Sequence, residues 1–158
     1  SEIRLDFQKW FRGISSLINR GSMVFIDYGY VRSDFYRADR SKGSMICHYQ
    51  NQVIEDPLQN LGYQDISASV DFTQLADTAI EEGFFIDLFT SQGVFLLNEE
   101  SLNLIDDIDS NELRINEIQK LKQLIMPNQM GDIFKCMILG KGISRDNFEE
   151  LNQLTHTL

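Results

Sequence analysis

A chain of 158 residues, 42% apolar and 24% charged, is long enough for one compact domain with a real core and too short to divide into two. A formal charge of −10 and a pI of about 4.5 repel a phosphate backbone, which makes nucleic acid a poor fit and a cationic substrate a better one, while the plainest reading of the charge is solubility. No apolar run approaches the roughly 20 residues a bilayer requires, and the charged start Ser1-Glu2-Ile3-Arg4 lacks the apolar core of a signal peptide.

The first residue is not Met, so the amino end reads as processed or cut. Apolar residues at Ile3, Phe7, Trp10, Phe11, Ile14 and Leu17 recur at spacings of three and four, which predicts a helix ending before Gly21. Met23-Val24-Phe25-Ile26 follows as a short apolar run of β formers. Its lack of alternation predicts a strand buried on both faces. From Tyr30 to Ser69 the chain is irregular, aromatic and polar, with one short strand expected over Ser44 to Tyr49. Asp71 is placed as the N-cap of a helix through Leu75, Ala79 and Ile80 that stops at Gly83. Phe84 to Phe89 is the second predicted strand. Helical stretches over Val94 to Ile105 and Asn111 to Met126 come next, the latter closed by Pro127. Ile133 to Leu139 is the third strand, and Ser144 to Leu154 a short terminal helix capped by Ser144. Helices interleaved with apolar strands define an open α/β sheet.

In open α/β sheets ligands collect outside the carboxyl ends of the strands, which puts Asp27-Tyr28-Gly29 at the functional rim. Asp27 offers a poorly solvated carboxylate and Gly29 lets backbone approach a ligand; equally, Asp27 could cap local N–H groups at a turn. Two carboxylates and two hydroxyls, Asp65, Ser67, Ser69 and Asp71, precede the second helix, where a helix amino end favours negative charge. Asp71 reads more simply as a cap, and Asp65 either as a site carboxylate or as a brace for the long connection. His48 suits a general base or a hydrogen-bond donor, although a structural histidine is the commoner case. It has no HxxxH, HExxH or CxxC partner, so no metal site is expected. Cys47 and Cys136 are too few for a disulfide framework or a zinc cage, Cys136 reading as core, and the balance favours a reducing, cytoplasmic setting. Gly140-Lys141-Gly142 lacks phosphate-loop spacing and reads as a turn. No G-x-S-x-G occurs.

Taken in order, Gly21-Ser22-Met23-Val24-Phe25-Ile26-Asp27-Tyr28-Gly29, Gly43-Ser44-Met45 with Tyr49, and Asp65-Ile66-Ser67-Ala68-Ser69-Val70-Asp71-Phe72 resemble the MidA-like family of S-adenosylmethionine-dependent methyltransferases. Thr90-Ser91-Gln92 with Phe95-Leu96-Leu97, and Pro127 with Met130-Gly131-Asp132-Ile133-Phe134-Lys135, extend the match over nearly the whole chain. Ser44-Met45, Ser67 and Glu99-Glu100 depart from the usual pattern. The resemblance implies residues 1–158 as the carboxyl-terminal half of a class I methyltransferase (Rossmann-like) sheet. Met23 to Asp27 would be strand 5, Phe84 to Phe89 strand 6, and Ile133 to Leu139 an antiparallel strand 7 between them. The glycine-rich cofactor loop and the ribose-binding acid of that family do not occur here, so the cofactor site falls mainly outside this chain, and this chain alone is expected to be inactive.

The resemblance further implies methyl transfer to a protein side chain, arginine in the mitochondrial member that assists respiratory complex I assembly. Asp27, His48 and Asp65 are then the expected catalytic residues, and Tyr28, Gly29, Ser67 and Asp71 the substrate wall. The compartment would be the cytoplasm of a bacterium or the mitochondrial matrix of a eukaryote. A bare edge on the first strand would allow a homodimer. The acidic charge without a nucleotide loop supports a different reading, a non-catalytic interaction or assembly module.

Overall fold

The computed structural model describes residues 2–97, 99–144 and 154–158. Its main sheet runs in the order β5-β1-β7-β6, built from β1 (Gly21–Tyr30), β5 (Val70–Asp71), β6 (Phe85–Ser91) and β7 (Phe134–Lys141). β7 lies antiparallel between β1 and β6, from Gly21 opposite Lys141 to Tyr28 opposite Phe134 on one side. On the other side it pairs from Phe85 opposite Gly140 to Ser91 opposite Lys135, with a bulge between Ile86 and Leu88. The expected 5-7-6 arrangement is therefore present. β5 adds two parallel residues to the carboxyl end of β1, Gly29 opposite Val70 and Tyr30 opposite Asp71.

One face of this sheet holds the larger core. α1 (Phe7–Ser15) and α3 (Phe72–Glu81) bury Phe11, Phe72, Leu75 and Ala79 against Met23, Phe89, Met137 and Leu139. On the opposite face Leu88, Cys136 and Ile138 pack beneath Phe95 of α4 (Gln92–Leu96). Cover stops short of β1, where Val24 and Ile26 stay 55% and 46% exposed on that face. The expectation of a first strand buried on both faces is corrected accordingly, because no element described in this chain lies over them. The first helix is also shorter than its apolar spacing suggested. Ile3, 82% exposed, lies before it, and Leu17 lies after it.

Caps follow local chemistry. Asp71 accepts from the Gln74 N–H at 2.9 Å and starts α3, and Gly83, at φ +82°, follows that helix's end as read from the sequence. The stretch read as one helix from Val94 divides into α4 and α5 (Glu99–Asp106), since Leu97 leaves the helical region at ψ 72°. Ser110 caps α6 (Asn111–Ile125), and Pro127 opens the wide turn Pro127–Gly131 that closes it. Of the expected terminal helix, Ser144 and Leu154 are described and neither is helical, and residues 145–153 lie outside the described ones.

Gly131 sits against the Ile125 carbonyl so closely that a Cβ would collide with it, and a Cβ on Gly93 of α4 would lie 2.6 Å from the same oxygen. Backbone here touches backbone without side chains between. Gly131→Ala is expected to cost about 3 kcal/mol, measured by urea denaturation, because no side-chain rotation relieves the overlap. A loss under about 1 kcal/mol would contradict the crossing.

The segment read as irregular is more ordered than expected. After α2 (Arg32–Phe35) it forms a separate sheet in the order β3-β2-β4 from β2 (Ile46–Tyr49), β3 (Gln52–Ile54) and β4 (Asp65–Ser67). The tight connection between β2 and β3 places Gln50 and Asn51 at positive φ.

Candidate active-site rim

The structure sorts the seven predicted site residues into two groups. Asp27, Tyr28, Gly29 and Asp71 meet at the carboxyl end of β1, whereas His48, Asp65 and Ser67 belong to the small sheet.

At the first group, β1 emerges from the core with Asp27 directly opposite Lys135 and Tyr28 opposite Phe134. The Tyr28 and Phe134 rings meet edge to face at 5.8 Å. Asp27 is exposed, and its Oδ1 accepts from the Tyr28 N–H at 2.8 Å. One carboxylate oxygen thus binds a local N–H, but no turn ends the strand there, since β1 continues to Tyr30. The expectation of a poorly solvated carboxylate is corrected, because Asp27 faces solvent. Gly29 is buried where β1 runs beside β5: a Cβ would strike the Val70 carbonyl and lie 2.8 Å from the Phe72 ring. The glycine is needed for strand contact, which also brings Asp71 beside Tyr30.

Asp71 is buried. One oxygen caps α3, and the other lies 3.8 Å from the Arg32 Nε; Arg32 also binds Asp77 at 2.9 Å. Asp71 is thereby occupied in holding structure. Lys135 was not singled out as a site residue, and neither was Arg32. Burial holds the Lys135 ammonium below its ordinary value against the opposing pull of Asp132 and Asp34. Its amine also donates to the Asp132 carbonyl. A lysine spaced to face a strand-end aspartate across an antiparallel pair was the available signal, and it needs the register to be read.

In the second group His48 pairs in register with Asp65 across β2 and β4, and Ser67 lies opposite Ile46. His48 and Asp65 are exposed and Ser67 half-buried. No strand pairing carries either His48 or Asp65 to Asp27. The stem of the small sheet is instead fixed by the amino-terminal segment. Glu2 Oε1 accepts from the N–H groups of Ser44 and Met45, both at 2.6 Å; Arg4 donates to the Ser69 carbonyl; and the Ser69 N–H donates to Ser44 Oγ at 3.1 Å.

Burial alone would raise the Glu2 carboxyl, but N–H groups of Glu2 itself, Ser44 and Met45 outweigh it and hold it below the ordinary carboxylate value. A folded pKa below the unfolded one stabilises the stem fully above the unfolded value, and that contribution is lost as pH falls through the folded one. Amide exchange at Ser44 and Met45 is therefore expected to accelerate as pH drops below the carboxylate range, after correction for intrinsic rates. Glu2→Gln should remove most of that pH dependence; an unchanged profile would refute the stem contact.

Two cavities flank the rim. A small apolar one of about 150 Å³ lies between α1 and β1, with Phe7, Trp10, Phe25, Ile26, Asp27 and Phe72 in its lining. A polar one of about 180 Å³ is lined by Glu2, Arg4, Arg32 and Asp71. Both cysteines are free and buried, and burial pushes the Cys136 thiol up to about 11, so it is no nucleophile at neutral pH. Among the described residues no cluster of His, Cys, Asp and Glu could hold a metal, and no helix is long and apolar enough to cross a membrane.

A mixed sheet with an antiparallel strand inserted before its last one, and a carboxylate-bearing strand end beside it, defines a methyltransferase-type α/β fold. Residues 1–90 match the sequence family described as "Putative S-adenosyl-L-methionine-dependent methyltransferase", and the chain belongs to that family. Two solved structures from Burkholderia thailandensis, both of the COG1565 superfamily, are similar at 30% identity and a TM-score of 0.87 over 96% of this chain. One is a native protein and the other is bound to S-adenosyl-homocysteine. This chain spans only 41% and 40% of their respective lengths. No functionally curated protein matches the sequence.

Proposed function

We propose that this chain is the acceptor-side portion of an S-adenosylmethionine-dependent protein methyltransferase acting on arginine of a basic partner. One observation carries this reading: the exposed carboxylate of Asp27 stands on β1 toward its carboxyl end, in a chain that covers less than half of a relative bound to S-adenosyl-homocysteine.

The residues present do not make a complete cofactor site. The groove beside Asp27, about 150 Å³, is far smaller than the ~300 Å³ or more that a ligand of that size needs, and its walls are apolar. It can supply one wall. The cofactor therefore binds mainly to sequence beyond this chain, and this chain alone does not transfer methyl groups. What this chain contributes is a positioned negative charge for a guanidinium. Asp27 keeps one oxygen available for that purpose, and Asp71 fixes the backbone behind it. His48 and Asp65 stand ready on the small sheet to contact the acceptor protein. A reducing, cytoplasmic setting agrees with two free thiols.

Calorimetry with S-adenosylmethionine should show negligible binding to this chain and clear binding to a longer chain that includes the sequence upstream. Tight binding by this chain would refute the division. In the longer chain, Asp27→Asn is expected to lower arginine methylation of a basic protein about a hundredfold with unchanged thermal stability. Full activity would remove Asp27 from the chemistry.

The outer edge of β1 bears on self-association. Among the described residues only Val70 and Asp71 pair with that edge, leaving it open from Gly21 to Tyr28 beside exposed Trp10 and Ile26. Open strand edges recruit other strands. This chain alone is expected to dimerise there; light scattering showing a monomer at high concentration would contradict it.

A further inference from the structure

The small sheet has properties that the rim does not explain. Cross-strand register puts Val53, His48 and Asp65 in one row, and Ile46 and Ser67 in the next, on the same face. Val53 is 66% exposed, and Met45 and Ile46 beside it are also open. The loop joining β3 to β4 exposes Leu58, Leu61 and Tyr63, the last at 82%. Scattered exposed apolar residues are ordinary, but so many on one small excursion mark an interaction surface. A groove of about 460 Å³ runs along it, lined by Lys42, Met45, Ile46, Val53, Ile54 and Glu55. β3 is the outermost strand on that side, so its outer edge is unpaired among the described residues.

Charge narrows what could lie there. No Lys or Arg occurs anywhere from Gly43 to Leu113. Every formal charge within β2, β3, β4 and their connections is therefore a carboxylate: Glu55, Asp56 and Asp65. Lys42 stands in the groove as its only cation and would repel a second one. A positive side chain is steered to the Glu55–Asp56 end and away from Lys42. The stem contacts from Glu2 and Arg4 hold the sheet to the body as a preformed surface, which lowers the ordering cost of binding.

We propose that the outer edge of β3 is the docking site for an extended, cationic protein segment. The segment adds as a strand beside Gln52–Ile54, with apolar side chains in the groove against Val53 and Met45 and a basic side chain at Glu55 and Asp56. Main-chain hydrogen bonds would supply affinity, and the groove and carboxylates would supply selection. Taking that segment to be part of the methyl-acceptor protein rests on the function proposed above; the docking itself does not.

The test uses short synthetic peptides of alternating Arg and Val, with Arg–Ser and Glu–Val counterparts, at about 0.15 M salt to suppress diffuse attraction. Binding is read by fluorescence anisotropy and located by amide exchange, without cofactor. The Arg–Val peptide is expected to bind and to protect residues 52 to 55. The Arg–Ser peptide should bind about tenfold more weakly, and the Glu–Val peptide not at all. A double change, Glu55→Lys with Asp56→Lys, should weaken Arg–Val binding about tenfold or more, as should Val53→Asp, with unchanged thermal midpoints. Equal binding of the Arg–Ser peptide, protection along β1 instead, or absence of binding would each overturn the docking site. Methylation assays on the longer chain separate the two ideas. Docking without methyl transfer would refute the function and leave the site standing, whereas methylation with no docking at β3 would do the reverse.

Discussion

Gly29→Ala is expected to remove about 3 kcal/mol of stability and to separate β5 from β1. The added methyl meets two obstacles at once, the Val70 carbonyl and the Phe72 ring at 2.8 Å. A ring edge can shift by a few tenths of an ångström. A paired backbone carbonyl cannot move without breaking the parallel contact of Gly29 with Val70 and of Tyr30 with Asp71. The same movement would draw Asp71 from Arg32 and misplace the rim. Urea denaturation measures the loss, and amide exchange at Gly29 to Asp71 shows whether the pairing opens. A change below about 1 kcal/mol would mean the contact is looser than the structure has it.

Phe72→Ala should cost still more, about 3–5 kcal/mol. Phe72 is fully buried, follows the Asp71 cap directly, and meets the Phe89 ring at 5.1 Å between centroids. Its removal leaves a cavity bounded by β1, β6 and α3, three elements fixed by their own hydrogen bonds and unable to collapse inward. Against a total stability of about 5–15 kcal/mol, such a loss brings a marginal domain close to unfolding at 37 °C. Phe72→Leu keeps most of the volume and should cost less than about 1.5 kcal/mol. Combined with Gly29→Ala it should recover part of that variant's loss, since the ring obstacle goes and the carbonyl remains. Strict additivity in this double-mutant cycle would show that the ring and Gly29 do not touch.

What could be read from the sequence was what neighbours along the chain decide. Asp71 as a cap and Gly83 after the helix end are determined within a few residues, and both stand. The apolar run at Met23 announced β1, and the family motifs announced the inserted β7. The two-faced burial of that run failed because apolar character records what a strand is suited to meet. Val24 and Ile26 are apolar, yet nothing described in this chain covers them. Of the small sheet only β2 was legible, as the short strand expected over Ser44 to Tyr49; β3 and β4 are three residues long, too short for alternation to register. The opposition of His48 to Asp65 depends on a pairing across 17 positions that no local pattern carries. The Glu2 contact with Ser44 spans 42 positions and is equally invisible from sequence. Asp27 was found as a strand end, but its partner across the sheet, Lys135, emerged only from the register.

The stretch without Lys or Arg also governs how this molecule can be studied. Trypsin cuts after those residues, so digestion leaves one fragment running from Gly43 through Arg114, with the small sheet, α3 and β6 inside it. Limited trypsinolysis is therefore blind to opening of the small sheet, and amine-directed cross-linkers find no lysine on it. A protease that cuts after glutamate reaches the Glu55 connection and the Glu81–Glu82 helix end. Amine coupling to a sensor surface, by the same logic, cannot attach through β2, β3 or β4 themselves, and Lys42 is the one amine lining the groove that it can reach.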